Sequence, residues 1–238
     1  MKKKIDEIQT LNSLLVDNST PFAIREAYKA LYTNILYLNI EDKCKKIVVT
    51  SSVSGEGKTT TAVNVAITLA QNLEDKKVLL IDADMRRPSI AKMLSLGSRT
   101  HGLSEFLAGI DKDPHIDYIP QYKLAVLSAG GKSVNPTKLI GSENMSRLIR
   151  ACEKEFDYII IDTPPVNVVT DAVLLNKNVN GYILTARADH SNINKINECV
   201  AKLEQVGADI YGFVFLGEKV TKKSARDLRY ERYTNDNL

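Results

Sequence analysis

The stretch Val48-Val49-Thr50-Ser51-Ser52-Val53-Ser54-Gly55-Glu56-Gly57-Lys58-Thr59-Thr60 constrains this chain more than any other. An apolar run passes into a loop of small residues, then Lys-Thr-Thr, then the apolar-periodic segment Ala62 to Leu73. That order reads as strand, phosphate loop, helix. Gly55 and Gly57 carry no Cβ, so backbone N–H groups can close around phosphate oxygens. The helix that follows turns its positive end toward the same anion. Lys58 can reach the outer phosphates of a nucleoside triphosphate, and the Thr59 hydroxyl can hold Mg²⁺. The full pattern G-x-x-x-x-G-K-S/T would put its first glycine at position 52, where this chain has Ser52. A glycine-rich turn with a solvated lysine is the competing reading. The strand before the loop and the helix after it argue against that.

Two acidic strand ends follow. Lys77-Val78-Leu79-Leu80-Ile81 is an uninterrupted apolar strand, as in a parallel sheet covered on both faces, and it runs into Asp82-Ala83-Asp84-Met85-Arg86-Arg87-Pro88. Carboxylates at i and i+2 of an extended segment point the same way. They sit at the carboxyl end of a strand, where open α/β sheets place ligands. One or both of Asp82 and Asp84 can hold Mg²⁺, and one can take a proton from an attacking hydroxyl. Tyr158-Ile159-Ile160-Ile161-Asp162-Thr163-Pro164-Pro165 is a second such strand, and Asp162 has the form of a Walker B acid. Asp171 falls at a helix start, where a capping role is expected.

Further strands are expected at Leu124 to Leu127, Tyr182 to Thr185 and Ile210 to Leu216, with helices at Ser104 to Ala108, Ser142 to Lys154 and Ile193 to Val206. Thr20 as N-cap and Pro21 at N1 open a helix on which Ile24, Ala27, Tyr28, Leu31, Ile35 and Leu38 recur at helical spacing. That helix either packs on the nucleotide domain or makes an oligomer contact. The expected fold is α/β: a three-layer P-loop NTPase fold with a mostly parallel central sheet flanked by helices. The expected division is an extension at 1–20, one domain at 21–217, and a basic, tyrosine-containing tail at 218–238.

Composition narrows the class. A chain of 238 residues with 44% apolar content can bury one sizeable core. No apolar run approaches the roughly 18 residues of a membrane span. Met1-Lys2-Lys3-Lys4 is followed by Ile5-Asp6-Glu7 rather than an apolar region, which is no signal peptide. Cys44, Cys152 and Cys199 are far apart, as reduced thiols of a cytoplasmic protein. A formal net charge of +3 gives no argument for nucleic acid.

The phosphate loop Ser54 to Thr60, the segment Leu80 to Pro88 and the block Ile160 to Pro165 together resemble the bacterial tyrosine kinases of capsular and exopolysaccharide synthesis. The segment Leu80 to Pro88 looks like that family's A′ motif, the most specific of the three. The resemblance covers residues 20 to 217. It implies ATP and Mg²⁺ as cofactors. Ser54, Gly55, Glu56, Gly57, Lys58, Thr59 and Thr60 would form the nucleotide loop, and Thr59 and Asp162, with Asp82 and Asp84, the metal site. Asp82 would be the base for the tyrosine hydroxyl, Asp84 would assist, and Arg86 would neutralise phosphate charge. The family phosphorylates tyrosine-rich tails of neighbouring copies, here Tyr230 and Tyr233. It is stimulated by a separate membrane adaptor of the polysaccharide co-polymerase type, which recruits it to the inner face of the membrane.

Departures from the family pattern leave alternatives open. The oligomerisation helix reads E-x-x-R-x-x-R in the family, and Glu26, Lys29, Tyr32 here. The tail carries two tyrosines near its end rather than a dense cluster, and Leu216-Gly217 stands where an Asn can contact the base. The related partition and division-site ATPases carry a signature lysine at the position of Val53, so a non-kinase ATPase switch is disfavoured. An inactive nucleotide-binding scaffold is the third reading. The acids Asp82, Asp84 and Asp162 argue against it, because a scaffold needs no metal chemistry.

Overall fold

A computed structural model describes residues 11–17, 19–97 and 99–217. Most of the N-terminal extension and the tail with Tyr230 and Tyr233 lie outside the described residues. The chain runs α1 (Phe22–Leu36), β1 (Lys45–Ser51), α2 (Lys58–Asn72), β2 (Val78–Asp82), α3 (Ile90–Met93), α4 (Leu103–Leu107), β3 (Ile116–Ile119), β4 (Leu124–Leu127), α5 (Pro136–Ile140), α6 (Glu143–Cys152), β5 (Tyr158–Asp162), α7 (Asp171–Leu174), β6 (Gly181–Arg187), α8 (Ile193–Glu204) and β7 (Ile210–Leu216). The strands form one seven-stranded sheet in the order β3-β4-β2-β5-β1-β6-β7. All neighbours are parallel except β3 on β4.

The apolar runs explain the layers. Alternate residues of a strand face opposite sides. Leu79, Ile81, Ile159 and Ile161 face one core with Leu103 of α4, Leu148 of α6 and Leu203 of α8. Val78, Leu80 and Ile160 face the other, with α2, Tyr28 and Ile35 of α1, and Ile90 and Met93 of α3. Helix α2 is buried without a break from Thr61 to Ala70, because β1, β2 and β5 cover one side of it and α1 packs on another. The packing role expected of the first helix is therefore present. Its outer surface carries an exposed Lys29–Glu26 ion pair at 2.9 Å.

Three expectations change. Helix α1 begins at Phe22 with Pro21, not Thr20, as its N-cap. The Thr20 hydroxyl is used by the preceding turn, accepting from the Asp17 amide and donating to the Leu15 carbonyl. Strand β3 is not expected from the sequence, because its four residues, set between Pro114 and Pro120, give too short an alternation to read. Asp171 does not act as the cap of α7, whose N-cap is Thr170 with no side-chain cap bond. Its carboxylate faces α5 and Arg86 instead.

Asn64, buried on α2, ties down the segment before α1. Its carbonyl accepts from the Val16 amide at 2.8 Å, and its amide donates to the Leu14 carbonyl at 2.9 Å and the Tyr28 hydroxyl at 3.3 Å. Asn64→Ala leaves these partners, of which the Tyr28 hydroxyl is buried and the two backbone groups part-buried, without it. It should lower unfolding stability by about 1–3 kcal/mol in urea titration. An unchanged midpoint would show that the segment contributes nothing to the folded state.

Candidate active site

The register of the sheet assembles the acids. β2 and β5 pair so that Asp82 lies opposite Asp162, and β1 pairs with β5 so that Val49 does. All these strands end at the same edge, which brings the phosphate loop between β1 and α2 beside both carboxylates. The sheet's topology changes direction here: β2 lies to one side of β1 and β6 to the other, the usual place for a ligand crevice.

The loop itself is held open by its glycines and braced from behind. Gly55 and Gly57 have φ of 88° and 81°, in the left-handed region that favours glycine. Gly57 is the N-cap of α2, and a Cβ there would collide with Leu216 of β7. The Glu56 carboxylate is not turned toward a phosphate. It is fully buried and accepts from the Ser52 hydroxyl at 2.9 Å, from the Val53 amide at 2.9 Å and from the Ser191 hydroxyl. Ser52 therefore has a function of its own where the common motif has glycine. The turn after β6 supplies a second brace, with His190 Nε2 donating to the Ser54 carbonyl at 2.8 Å. Thr60 is half-buried and lines a cavity of about 890 Å³ between α1, α2 and β7, together with Leu31, Asn64, Phe213 and Leu216.

Lys58 lies at the centre of the charges. Its ammonium is 2.9 Å from Asp84 Oδ2. Burial alone would lower its pKa, but Asp162 and Asp84 outweigh this and raise it. The Thr59 hydroxyl donates to Asp162 Oδ2 at 2.6 Å. Asp84 Oδ1 also accepts the Arg87 amide at 3.0 Å. Asp82 Oδ2 accepts from the Ser89 and Ile90 amides at 3.2 and 3.1 Å. Burial, then Asp162 and Asp84, hold the Asp82 pKa well above the usual carboxylate value, against the pull of those amides. Burial pushes Asp162 up to about 7, against Lys58 and the Thr59 hydroxyl.

Two carboxylate oxygens, Asp82 Oδ1 and Asp162 Oδ1, are buried without a hydrogen-bond partner. Such orphaned hard oxygens beside a threonine hydroxyl suit a hard divalent cation. The left-handed glycines and Lys58 suit phosphate. The residues present therefore fit Mg²⁺ and a nucleotide: Thr59 and Asp162 would hold the metal, with the Asp82 carboxylate beside it, and the Gly55 to Thr60 backbone with Lys58 the phosphates.

Arg86 departs from its expected role. Its Nε donates to Asp171 Oδ2 at 3.2 Å and its terminal nitrogen to Thr137 at 2.7 Å, while the Thr137 hydroxyl donates to Asp171 Oδ1 at 2.6 Å. The guanidinium is thus committed to a buried carboxylate on α7 rather than to the loop. It anchors the segment after β2. The Lys58–Asp84 pair, the Glu56 brace and this triad are not legible in the sequence, because each joins residues remote in sequence and none leaves a local pattern.

The raised Asp162 pKa sets a sign for pH dependence. The folded chain binds this proton more tightly than the unfolded chain, whose value is near 3.8. The group's favourable contribution is complete below that value and declines as pH rises toward about 7. In protein free of nucleotide and Mg²⁺, the stability of the wild type relative to Asp162→Asn should therefore fall over this window in thermal melts. A relative stability that rises with pH would contradict the assignment.

Residues 44–210 match the family described as an AAA domain. A putative tyrosine-protein kinase CapB of Staphylococcus aureus is 31% identical over 91% of this chain and 94% of its own. A tyrosine-protein kinase CpsD of Streptococcus pneumoniae is 37% identical over 79% of this chain and 82% of its own. The solved kinase domain of the Escherichia coli tyrosine kinase ETK superposes with a TM-score of 0.75 at 30% identity, covering 82% of this chain and 77% of that one. Fold, site and sequence agree, and the chain belongs to the family of bacterial tyrosine-protein kinases that includes CapB and CpsD.

Proposed function

We propose that this chain transfers the γ-phosphoryl group of ATP to tyrosine hydroxyls, those of its own Tyr230 and Tyr233 among them, and that this regulates capsular or exopolysaccharide synthesis and export. The observation that carries the reading is the buried group at the ends of β2 and β5: Lys58 paired with Asp84, beside unsatisfied oxygens of Asp82 and Asp162. Mg²⁺-ATP, when bound, supplies the phosphoryl group and part of the charge neutralisation. The chain's own contribution is positioning and electrostatics. Gly55 to Thr60 present backbone N–H groups, and Lys58 exchanges Asp84 for phosphate oxygen. Asp82 accepts the tyrosine proton at its free oxygen, and burial makes it a stronger base than an exposed carboxylate.

No described helix is long and apolar enough to cross a membrane. In this proposal a separate membrane adaptor of the polysaccharide co-polymerase type binds and stimulates the chain at the inner face of the membrane. A neighbouring copy meets the outer face of α1, which carries the exposed Glu26–Lys29 pair. The ATPase-switch reading is not favoured: Val53 stands at the lysine position, and the relatives are named as tyrosine kinases.

Phosphotyrosine mapping by mass spectrometry after incubation with Mg²⁺-ATP, with and without the adaptor's cytoplasmic segment, tests this. Modification of Tyr230 or Tyr233 is expected, reduced about 10²–10³-fold in Lys58→Met. ATP hydrolysis without any phosphotyrosine would replace the kinase with an ATPase switch. Asp82→Asn should slow transfer about 10²–10⁴-fold while changing nucleotide affinity far less. Equal loss of both would remove Asp82 as the base.

A further inference from the structure

Away from the nucleotide site, His101, Asp111 and His115 converge at the far edge of the sheet. Only three histidines occur in the chain, and two of them face this one carboxylate. Among the described residues, this is the one group of three His, Cys, Asp or Glu side chains whose ligand atoms all lie within 4.8 Å of one another. We propose that it is a binding site for a divalent d-block cation of the Zn²⁺ type, with water completing the coordination.

The geometry favours a cation over a simple ion pair. His101 Nδ1 lies 2.9 and 3.2 Å from the two Asp111 oxygens. His115 Nε2 lies 3.4 Å from Asp111 Oδ2, longer than an ordinary hydrogen bond. The two ring centroids are 5.4 Å apart, with planes at 67°. Bonds of ~2.0–2.1 Å to a tetrahedral Zn²⁺ set ligand atoms about 3.4 Å apart; with each ring nitrogen roughly 1.1 Å from its centre, they set two imidazole centroids about 5.2 Å apart. Both imidazoles converge on the same oxygen, Asp111 Oδ2. Two imidazoles and one carboxylate are a donor set for Zn²⁺ and its neighbours in the series rather than for Mg²⁺, which favours oxygen ligands in octahedral geometry.

The backbone holds the three ligands independently of any ion. His101 lies just before α4, and the Asp111 amide is bonded to the Glu105 carbonyl beyond the end of that helix. His115 leads directly into β3, whose Ile116 pairs with Leu127 at the carboxyl end of β4. A cation here would clip both ends of the α4 loop to the sheet edge, on the same rim as the nucleotide site. Both imidazoles are more than half exposed, at 56% and 59%, so an ion can enter and a solvent ligand can complete the shell.

Untagged full-length chain, free of nucleotide and Mg²⁺, would be titrated with Zn²⁺ by equilibrium dialysis and with Co²⁺ by visible absorption. Saturable Zn²⁺ binding and the intense d–d bands of four-coordinate cobalt are expected. Removing a ligand costs at least as much as removing a hydrogen-bond partner of one, so His101→Ala and His115→Ala should each weaken binding by about tenfold or more. His190→Ala, which removes the third histidine, should leave it unchanged. Both exposed histidines can be replaced without disturbing the core, and the cobalt spectrum reads the wild-type site without any substitution. Absence of saturable binding overturns the proposal. So does equal affinity in wild type and both alanine variants, or loss of binding in Asp162→Asn alone.

Discussion

Three buried carboxylates gathered around one partly buried lysine are the constraint on which the rest of this structure depends. Asp82, Asp84 and Asp162 are almost wholly withdrawn from water, and Lys58 is the cation ion-paired within the group, through Asp84. Burying charge without compensation is costly, so such a site either takes up protons or binds a cation. The raised carboxyl pKa values of Asp82 and Asp162 express the first response, and their unpartnered oxygens provide for the second. The site is therefore incomplete as a purely protein object. Its residues suit a phosphate-bound divalent metal.

The sheet makes this crowding possible. A parallel ladder fixes which strand ends are neighbours, and the apolar runs Val78–Ile81 and Tyr158–Ile161 hold the register because both of their faces are covered. Behind the acids the loops are braced by groups brought from far along the chain. Ser191 and His190 hold the phosphate loop from the turn after β6, and Asp171 and Thr137 hold Arg86 after β2. Donors that are already oriented need no reorganisation when the ligand arrives, and this is how such sites stabilise a transferring phosphoryl group.

Much of this was legible in the sequence, for a physical reason. Buried parallel strands must be continuously apolar, and a phosphate loop needs glycine and lysine at fixed spacing, so β1, β2, β5 and the loop announce themselves locally. Asp82 and Asp162 follow because each ends such a strand. What could not be read depends on partners distant in sequence. Glu56 looks like a loop residue open to ligand until Ser191 closes on it. Arg86 looks free to meet phosphate until the fold brings Asp171 against it, and Asp171 looks like a helix cap until Arg86 and Thr137 take its oxygens. Thr20 fails as a cap because a turn of its own claims the hydroxyl. Strand β3 is short and antiparallel, and takes its identity from β4 rather than from its own residues.

The most direct test of the central claim is a crystal structure with Mn²⁺ and a non-hydrolysable ATP analogue, using the anomalous signal to locate the metal. The account predicts that the Lys58 ammonium leaves Asp84 for phosphate oxygen. It also predicts that the metal lies against the Thr59 hydroxyl and the Asp162 carboxylate, beside that of Asp82. A nucleotide seated elsewhere, or bound with the Lys58–Asp84 pair intact and no metal at these carboxylates, would contradict it.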